Sequence, residues 1–114
     1  MNRKVVFLLV FGWMGCGEKE ADDTAVGFCA EAPVVTYESF GAGFFTQECE
    51  SCHASTSPNR LGAPESVTFD TEEEILALKD RVLERATGDS PTMPPQGGVP
   101  DEDREKLELW LRCW

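Results

Sequence analysis

The sequence predicts an all-α fold, with one small domain of three main helices joined by long loops. Three segments carry apolar residues at the three- to four-residue spacing of one helical face. No segment alternates polar and apolar residues for long enough to indicate a sheet. Two segments rich in proline, glycine and serine, 55–65 and 89–99, are predicted loops. With 114 residues, the chain has room for one domain.

The first predicted helix runs from about 37 to 52. Phe40, Phe44 and Phe45 recur at helical spacing and form its apolar face. Gly41 lies inside this helix and weakens its intrinsic propensity. A glycine inside a helix often marks the close approach of another element, so we expect a neighbour to pack there.

The second predicted helix covers about 71–87. Either Asp70 or Thr71 can cap its N-terminus, and three glutamates follow in the first turn, where the helix dipole favours negative charge. Gly88 is a suitable residue to end it. Its apolar stripe consists of Ile75, Leu78, Val82 and Ala86, with Leu76 and Leu83 beside it.

The third predicted helix starts near Pro100, whose fixed φ suits a helix N-terminus. Acidic residues again occupy the first turn, and Arg112 lies in the last turn, where the dipole favours a cation. Its apolar face consists of Leu107, Trp110, Leu111 and Trp114.

The N-terminus has the pattern of an export signal. A short basic stretch, 1–4, precedes an apolar run, 5–14. The run is too short to span a bilayer, which takes about 20 apolar residues. We therefore predict a signal peptide over 1–15, an acidic linker over 16–36 and the folded domain over 37–114.

Gly15-Cys16 resembles the lipobox of bacterial lipoproteins, in which the cysteine is acylated and becomes the mature N-terminus. Trp13 stands where that motif usually has leucine, and Met14 where a small residue is more common. The resemblance implies a lipid anchor at Cys16 on the periplasmic side of a bacterial membrane. Gly17, rather than aspartate, favours the outer membrane by the same analogy. The alternative is an ordinary signal peptide, which leaves Cys16 free or removed.

The segment Cys49-Glu50-Ser51-Cys52-His53 has the spacing C-x-x-C-H, the attachment signature of c-type haem. On a helical turn, two thiols three positions apart share one face, where both can reach the vinyl groups of a haem. The adjacent histidine can then bind the iron. Export agrees with this interpretation, because haem c is attached outside the cytoplasm. The alternative is a haem-free module that uses Cys49, Cys52 and His53 for zinc or a disulfide.

His53 is the only histidine in the chain, and Met93 is the only methionine after the predicted signal peptide. Met93 lies in a proline-rich loop, where it has no evident core role. We predict that His53 and Met93 are the two axial ligands of the iron. A thioether favours the softer ferrous ion and raises the reduction potential relative to two histidines. The alternative is a haem c enzyme or gas sensor with an open sixth site.

A haem would also supply apolar surface to a chain whose helices bury little against one another. The side chains predicted to wall its pocket are Phe40, Phe44, Leu61, Phe69, Leu78, Val82 and Trp110.

Residues 37–114 resemble the class I cytochrome c family in three features. An aromatic helix leads into C-x-x-C-H, a Met-Pro loop follows, and the last helix carries Trp110. The resemblance implies a cytochrome c-like domain wrapped round one haem, acting as a one-electron carrier and not as an enzyme. It implies that Gly41 packs against Trp110 where the first and last helices cross. A carbonyl near Pro64, or its rival Pro58, is expected to accept a hydrogen bond from the proximal histidine.

Cys29 and Cys113 depart from the family pattern. With two cysteines on the haem and one on the lipid, these two remain, and in an oxidising compartment we predict that they form a disulfide. This bond would pin the linker to the last helix. Two free, buried thiols are the alternative.

The chain after the signal peptide is strongly acidic. Its 21 acidic and eight basic residues give a formal net charge of −13. Nucleic-acid binding is excluded, because it needs clustered lysine and arginine. We expect a monomer whose redox partners present basic docking surfaces, steered by long-range attraction.

Overall fold

The computed structural model describes residues 23–114, with side chains from residue 27 onward. The predicted all-α class is confirmed, since the described residues form helices and no strand. The predicted signal peptide and Cys16 lie outside the described residues. The helices are α1 (Asp23–Ala30), α2 (Ala42–Glu48), α3 (Glu50–His53), α4 (Glu72–Ala77), α5 (Lys79–Ala86) and α6 (Asp101–Cys113), with a π-helical turn, Tyr37–Gly41, before α2.

The first predicted helix has the expected extent but consists of three pieces. Thr36 caps the π-helical turn, because its side chain accepts from Ser39 N at 3.1 Å while Ser39 Oγ accepts from Thr36 N at 3.0 Å. The chain continues into α2 and then bends at Cys49, which has φ −121° and ψ −41°. The short α3 therefore carries Cys52 and His53 in a direction different from that of α2.

The second predicted helix is also interrupted, at Leu78, which has φ −110° and ψ 14° and separates α4 from α5. Thr71, not Asp70, is the N-cap, since its side chain accepts from Glu74 N at 3.2 Å. Gly88 follows the end of α5 at φ +79°, a backbone conformation that favours glycine. The continuous apolar stripe of the sequence did not predict the interruption.

The third predicted helix corresponds to α6, which begins directly after Pro100. Leu107, Trp110 and Leu111 are buried as predicted. Trp114 was predicted on the same apolar face, and this prediction is wrong, because its side chain is 55% exposed. The residue follows the last turn of α6, which ends at Cys113.

The core forms where the π-helical turn and α2 pack against α6. Trp110 is 1% exposed, with its ring centroid 5.9 Å from that of Tyr37 and 6.2 Å from that of Phe45. A Cβ added at Gly41 would lie 2.8 Å from Cζ3 of Trp110, so only glycine fits this crossing. Further side chains from α2 and α6, together with others from α4, α5 and the loops, complete the core: Val35, Phe44, Phe69, Ile75, Val82, Ala86, Val99, Leu107 and Leu111.

The stretch 16–36, predicted as a linker, contains α1. Cys29 of this helix forms a disulfide with Cys113 near the end of α6, with Cα atoms 5.5 Å apart. Among the described residues, no helix is both long and apolar enough to cross a membrane.

Candidate cofactor site

A cavity of about 440 Å³ opens between α2, α3 and α5. Two loops close it, one around residues 60–67 and the other around 93–96. Most of its lining side chains are apolar. The volume lies in the range of roughly 300–1,000 Å³ typical of small-molecule and cofactor sites.

The four residues predicted to hold a cofactor all line this cavity: Cys49, Cys52, His53 and Met93. Cys49, Cys52 and His53 line the cavity together because they lie at the bend and on the single turn of α3 that follows it. Met93 arrives from a different segment, the loop between α5 and α6. The fold therefore brings two thiols, an imidazole and a thioether to one apolar space.

The two thiols lie partly buried on α3 and on the bend before it, and neither is in a disulfide. Burial is the main reason that the pKa of Cys49 rises to about 12, and the nearby Glu48 and Glu50 carboxylates add to this effect. Cys49 therefore remains a neutral thiol at physiological pH.

The imidazole of His53 is held from one side. Its Nδ1 lies 3.2 Å from the carbonyl oxygen of Val67, and because a carbonyl oxygen can only accept, Nδ1–H is the donor. The backbone is held too, since Phe69 N donates to His53 O at 3.0 Å and the two rings are 5.1 Å apart. A carbonyl near Pro64 or Pro58 was expected to accept a hydrogen bond from the histidine. The acceptor is the carbonyl of Val67, the last residue of a turn that begins at Pro64.

Arg60 organises this loop and is a residue that the sequence pattern did not single out. Its guanidinium donates to Val67 O at 2.9 Å, so this carbonyl accepts from both Arg60 and His53. The same group reaches three more carbonyls: Ala54 at 2.7 Å, Pro64 at 2.8 Å and Ala63 at 3.3 Å. One feature of the sequence could have pointed to Arg60: it is the only basic residue between 54 and 69.

The backbone of Met93 is fixed from two sides. Its N–H donates to Arg85 O at 2.9 Å, and Thr92 N donates to the same oxygen at 2.8 Å. Its carbonyl accepts from Arg104 Nη1 at 2.9 Å, and that nitrogen also donates to Ala86 O at 2.6 Å. A loop that the sequence predicted as irregular is therefore attached to both α5 and α6.

Five of the seven side chains predicted to wall the pocket do line the cavity: Phe44, Leu61, Phe69, Leu78 and Val82. The other two do not. Trp110 belongs to the core against Gly41, and Phe40 stacks on Phe44 with ring centroids 5.2 Å apart. At the mouth, Leu61 is 76% exposed and has φ 49°, so one apolar rim residue is held in the left-handed region.

The remaining predicted site residues lie elsewhere. Cys29 and Cys113 are paired with each other and do not line the cavity. Among the described residues, no three His, Cys, Asp or Glu side chains are grouped so that they could hold a metal ion by themselves.

Comparison with known proteins adds no relative: the chain matches no family model, no curated protein and no solved structure.

Proposed function

We propose that this chain is an exported, monohaem c-type cytochrome that carries single electrons. Cys49 and Cys52 would attach the haem covalently, and His53 and Met93 would ligate its iron. The observation that carries this proposal is the convergence of these four side chains, from two distant segments, on one mostly apolar cavity. A chance C-x-x-C-H motif gives no reason for the methionine to be there.

The state of His53 supports its role as a ligand. A metal-binding histidine ordinarily donates its other ring N–H to a carbonyl or carboxylate, which fixes the ring and makes the ligand more basic. Val67 O provides this acceptor, while Phe69 and Arg60 hold the segment in place.

The resemblance to class I cytochromes c is supported by one packing contact. The resemblance implied that a glycine of the first helix meets an aromatic residue of the last. Gly41 and Trp110 form this contact at the centre of the core. A cytochrome c-like domain over 37–114 is therefore part of the proposal.

When bound, the haem would supply a one-electron iron centre. The chain attaches it at two sulfurs, ligates it from two sides and shields it from water with Phe44, Phe69 and Val82. His53 and Met93 would both ligate the iron, which would leave no position on it for a substrate. This is why we propose a carrier and not an enzyme.

The location and partners in this proposal follow from the sequence. Export, acylation of Cys16 and a periplasmic position, with the outer membrane favoured, would hold a monomeric carrier beside a membrane surface. The formal net charge of −11 for the full chain suits redox partners with basic docking surfaces.

The haem-free alternative receives less support from the geometry. Zinc sites ordinarily need four protein donors. Within residues 27–114, Cys49, Cys52 and His53 are not grouped as a metal site, and the two thiols are not joined as a disulfide.

The test is a haem stain and an intact mass of the full chain expressed in a host that matures cytochromes c. We expect a haem band that survives denaturing electrophoresis and a mass increased by one haem. Cys49→Ser/Cys52→Ser should lose the band, and the control Cys29→Ser/Cys113→Ser should keep it. A colourless wild-type protein would overturn the proposal.

The axial role of Met93 has a separate test in the visible spectrum. A ferric iron bound to a thioether gives a weak long-wavelength band, which we expect in the wild type. Met93→Ala should lose this band while keeping the covalent haem. A haem-containing wild type without the band would favour the open sixth site of a haem c enzyme or gas sensor.

A further inference from the structure

Helix α5 presents two cations on the same face as its cavity-lining apolar residues. Leu78, Val82 and Ala86 line the cavity, and Arg81 and Arg85 line it with them. The two arginines are four positions apart, so their side chains lie one above the other on the helix surface. One wall of the cavity therefore combines an apolar stripe with two guanidinium groups at its exposed edge.

These two arginines are unpaired within the described part of the chain. No carboxylate among the described side chains lies within 4.0 Å of either guanidinium, and neither one donates a hydrogen bond to a described residue. This is unexpected in a chain with 21 acidic residues.

The other described cations are engaged, apart from Lys79. Arg60 and Arg104 are bound to backbone carbonyls. Lys106 pairs with Glu102 at 2.8 Å, and Arg112 pairs with Glu108 at 2.7 Å.

The cavity itself contains little to neutralise the pair. Among the described residues, the only carboxylate that lines the cavity is that of Glu48, which accepts from Gln47 Nε2 at 2.9 Å. Arg60 also lines the cavity, and four of its five N–H donors are already used by backbone carbonyls. A ligand with an apolar body and carboxylates at one edge would satisfy both the wall and the two free guanidinium groups.

We propose that Arg81 and Arg85 bind the two propionate carboxylates of the haem. This inference rests on the proposed function and deepens it by assigning the residues that orient the cofactor. Two cations meet two anions, and each guanidinium can bind a carboxylate through two parallel hydrogen bonds. An acidic partner protein is the less suitable occupant, because both arginines line the concave cavity together with its apolar wall.

The experiment uses the full haem-containing chain and compares Arg81→Gln and Arg85→Gln with Lys79→Gln. Lys79 is the matched control because it is exposed on the same helix and does not line the cavity. Its replacement by glutamine removes the same single positive charge. The first readout is the propionate bending region of the resonance Raman spectrum. The second is the reduction potential at low and high salt.

We expect both arginine variants to shift the propionate bands and Lys79→Gln to leave them unchanged. Loss of a cation beside the haem favours the oxidised state, so the reduction potential should fall. The fall should be larger than that in Lys79→Gln, because both arginines line the cavity and Lys79 does not. It should persist at high salt, because salt screens charges in direct contact less than exposed charges that are farther apart. If a glutamine variant does not accumulate, methionine replaces glutamine at the same position.

Unchanged propionate bands, with a potential equal to that of Lys79→Gln, would overturn this assignment. In that case faster electron exchange of the wild type than of the arginine variants with an acidic partner would assign the pair to docking instead. A wild type without haem would overturn the proposed function itself, so the two failures are distinguishable.

Discussion

A single side chain, Arg60, organises the loop that supports His53. Its guanidinium serves four backbone carbonyls, including the one that accepts from the imidazole. Buried or partly buried carbonyls without donors are costly, so one arginine here replaces the regular hydrogen bonding that a helix would supply. The loop 54–67 can therefore remain irregular and still hold the imidazole of His53 in place.

Arg60→Gln should destabilise the protein by about 2–3 kcal/mol, because several carbonyls lose a charged donor. Arg112→Gln is the control. It removes only an exposed pair with Glu108 and should cost about 1 kcal/mol or less. Denaturant unfolding followed by tryptophan fluorescence measures both. Equal losses in the two variants would contradict the role given to Arg60.

Asp70 makes the same loop sensitive to acid. Hydrogen bonds from Ser55 hold the pKa of Asp70 below its ordinary value, with Ser55 N donating at 3.0 and 3.2 Å to the two carboxylate oxygens. Because the folded-state pKa is lowered, the stabilisation is present above the unfolded pKa of about 4 and is lost as pH falls through the folded value.

We expect the wild type to lose more stability than Asp70→Asn as the pH falls below about 4. Asp89→Asn serves as the control, since Asp89 is exposed and has no recorded hydrogen bond among the described side chains. The measurement is the melting temperature as a function of pH. Parallel curves for the wild type and Asp70→Asn would show that the Ser55 contact does not act in this way.

At the level of elements, the helices that carry the site are short because they are interrupted. The bend at Cys49 separates α2 from α3, and Leu78 separates α4 from α5. Helices this short gain little from propensity alone and depend on tertiary packing. The crossing of the π-helical turn with α6 is therefore a main stabilising contact of the fold.

Gly41→Ala should destabilise the protein by about 1–3 kcal/mol, because its Cβ would lie 2.8 Å from Trp110, which is 1% exposed and has no room to move. Gly43→Ala is the matched control two residues later. Apart from its chain neighbours and the backbone of its own helix, no described atom lies within 4 Å of a Cβ there. We therefore expect no loss or a gain of up to about 1 kcal/mol. Thermal and denaturant unfolding compare the two. A tolerated alanine at 41 would refute the close crossing.

At the scale of the whole molecule, the disulfide joins the first described helix to the last. Its cysteines are separated by 84 positions, so the bond closes a loop that contains almost the entire domain. Closing a long loop restricts the unfolded chain, which is the main source of stabilisation in the chain-entropy account. Neither Cys29 nor Cys113 lines the cavity, so the bond should support the fold without shaping the site.

Cys29→Ser/Cys113→Ser should therefore lower the free energy of unfolding by about 2–4 kcal/mol and leave the visible spectrum unchanged. Reduction of the wild type with a thiol should reproduce the loss, and reduction of the double variant should have no further effect. A changed spectrum at constant stability would place the disulfide in contact with the site, contrary to this structure.

The sequence by itself determined what depends on neighbours within a few turns. Helical periodicity predicted the three main helices, and C-x-x-C-H predicted which three residues share a cavity wall. The N-termini of the second and third predicted helices could also be predicted, from the capping residues and from Pro100, because caps depend on local backbone geometry. The candidate role of Met93 followed from elimination, since His53 and Met93 are the only histidine and methionine after the predicted signal peptide.

Tertiary structure decided the rest, since it brings together residues far apart in the chain. Packing placed the carbonyl of Val67 against the imidazole of His53 and brought Arg60 to four carbonyls. It also buried Trp110 in the core and left Trp114 exposed. It also placed Arg81 and Arg85 at the cavity, with no carboxylate of the described residues within 4.0 Å of either guanidinium. Such contacts follow from packing between distant segments, and periodicity along the chain carries no information about which distant partner a side chain meets.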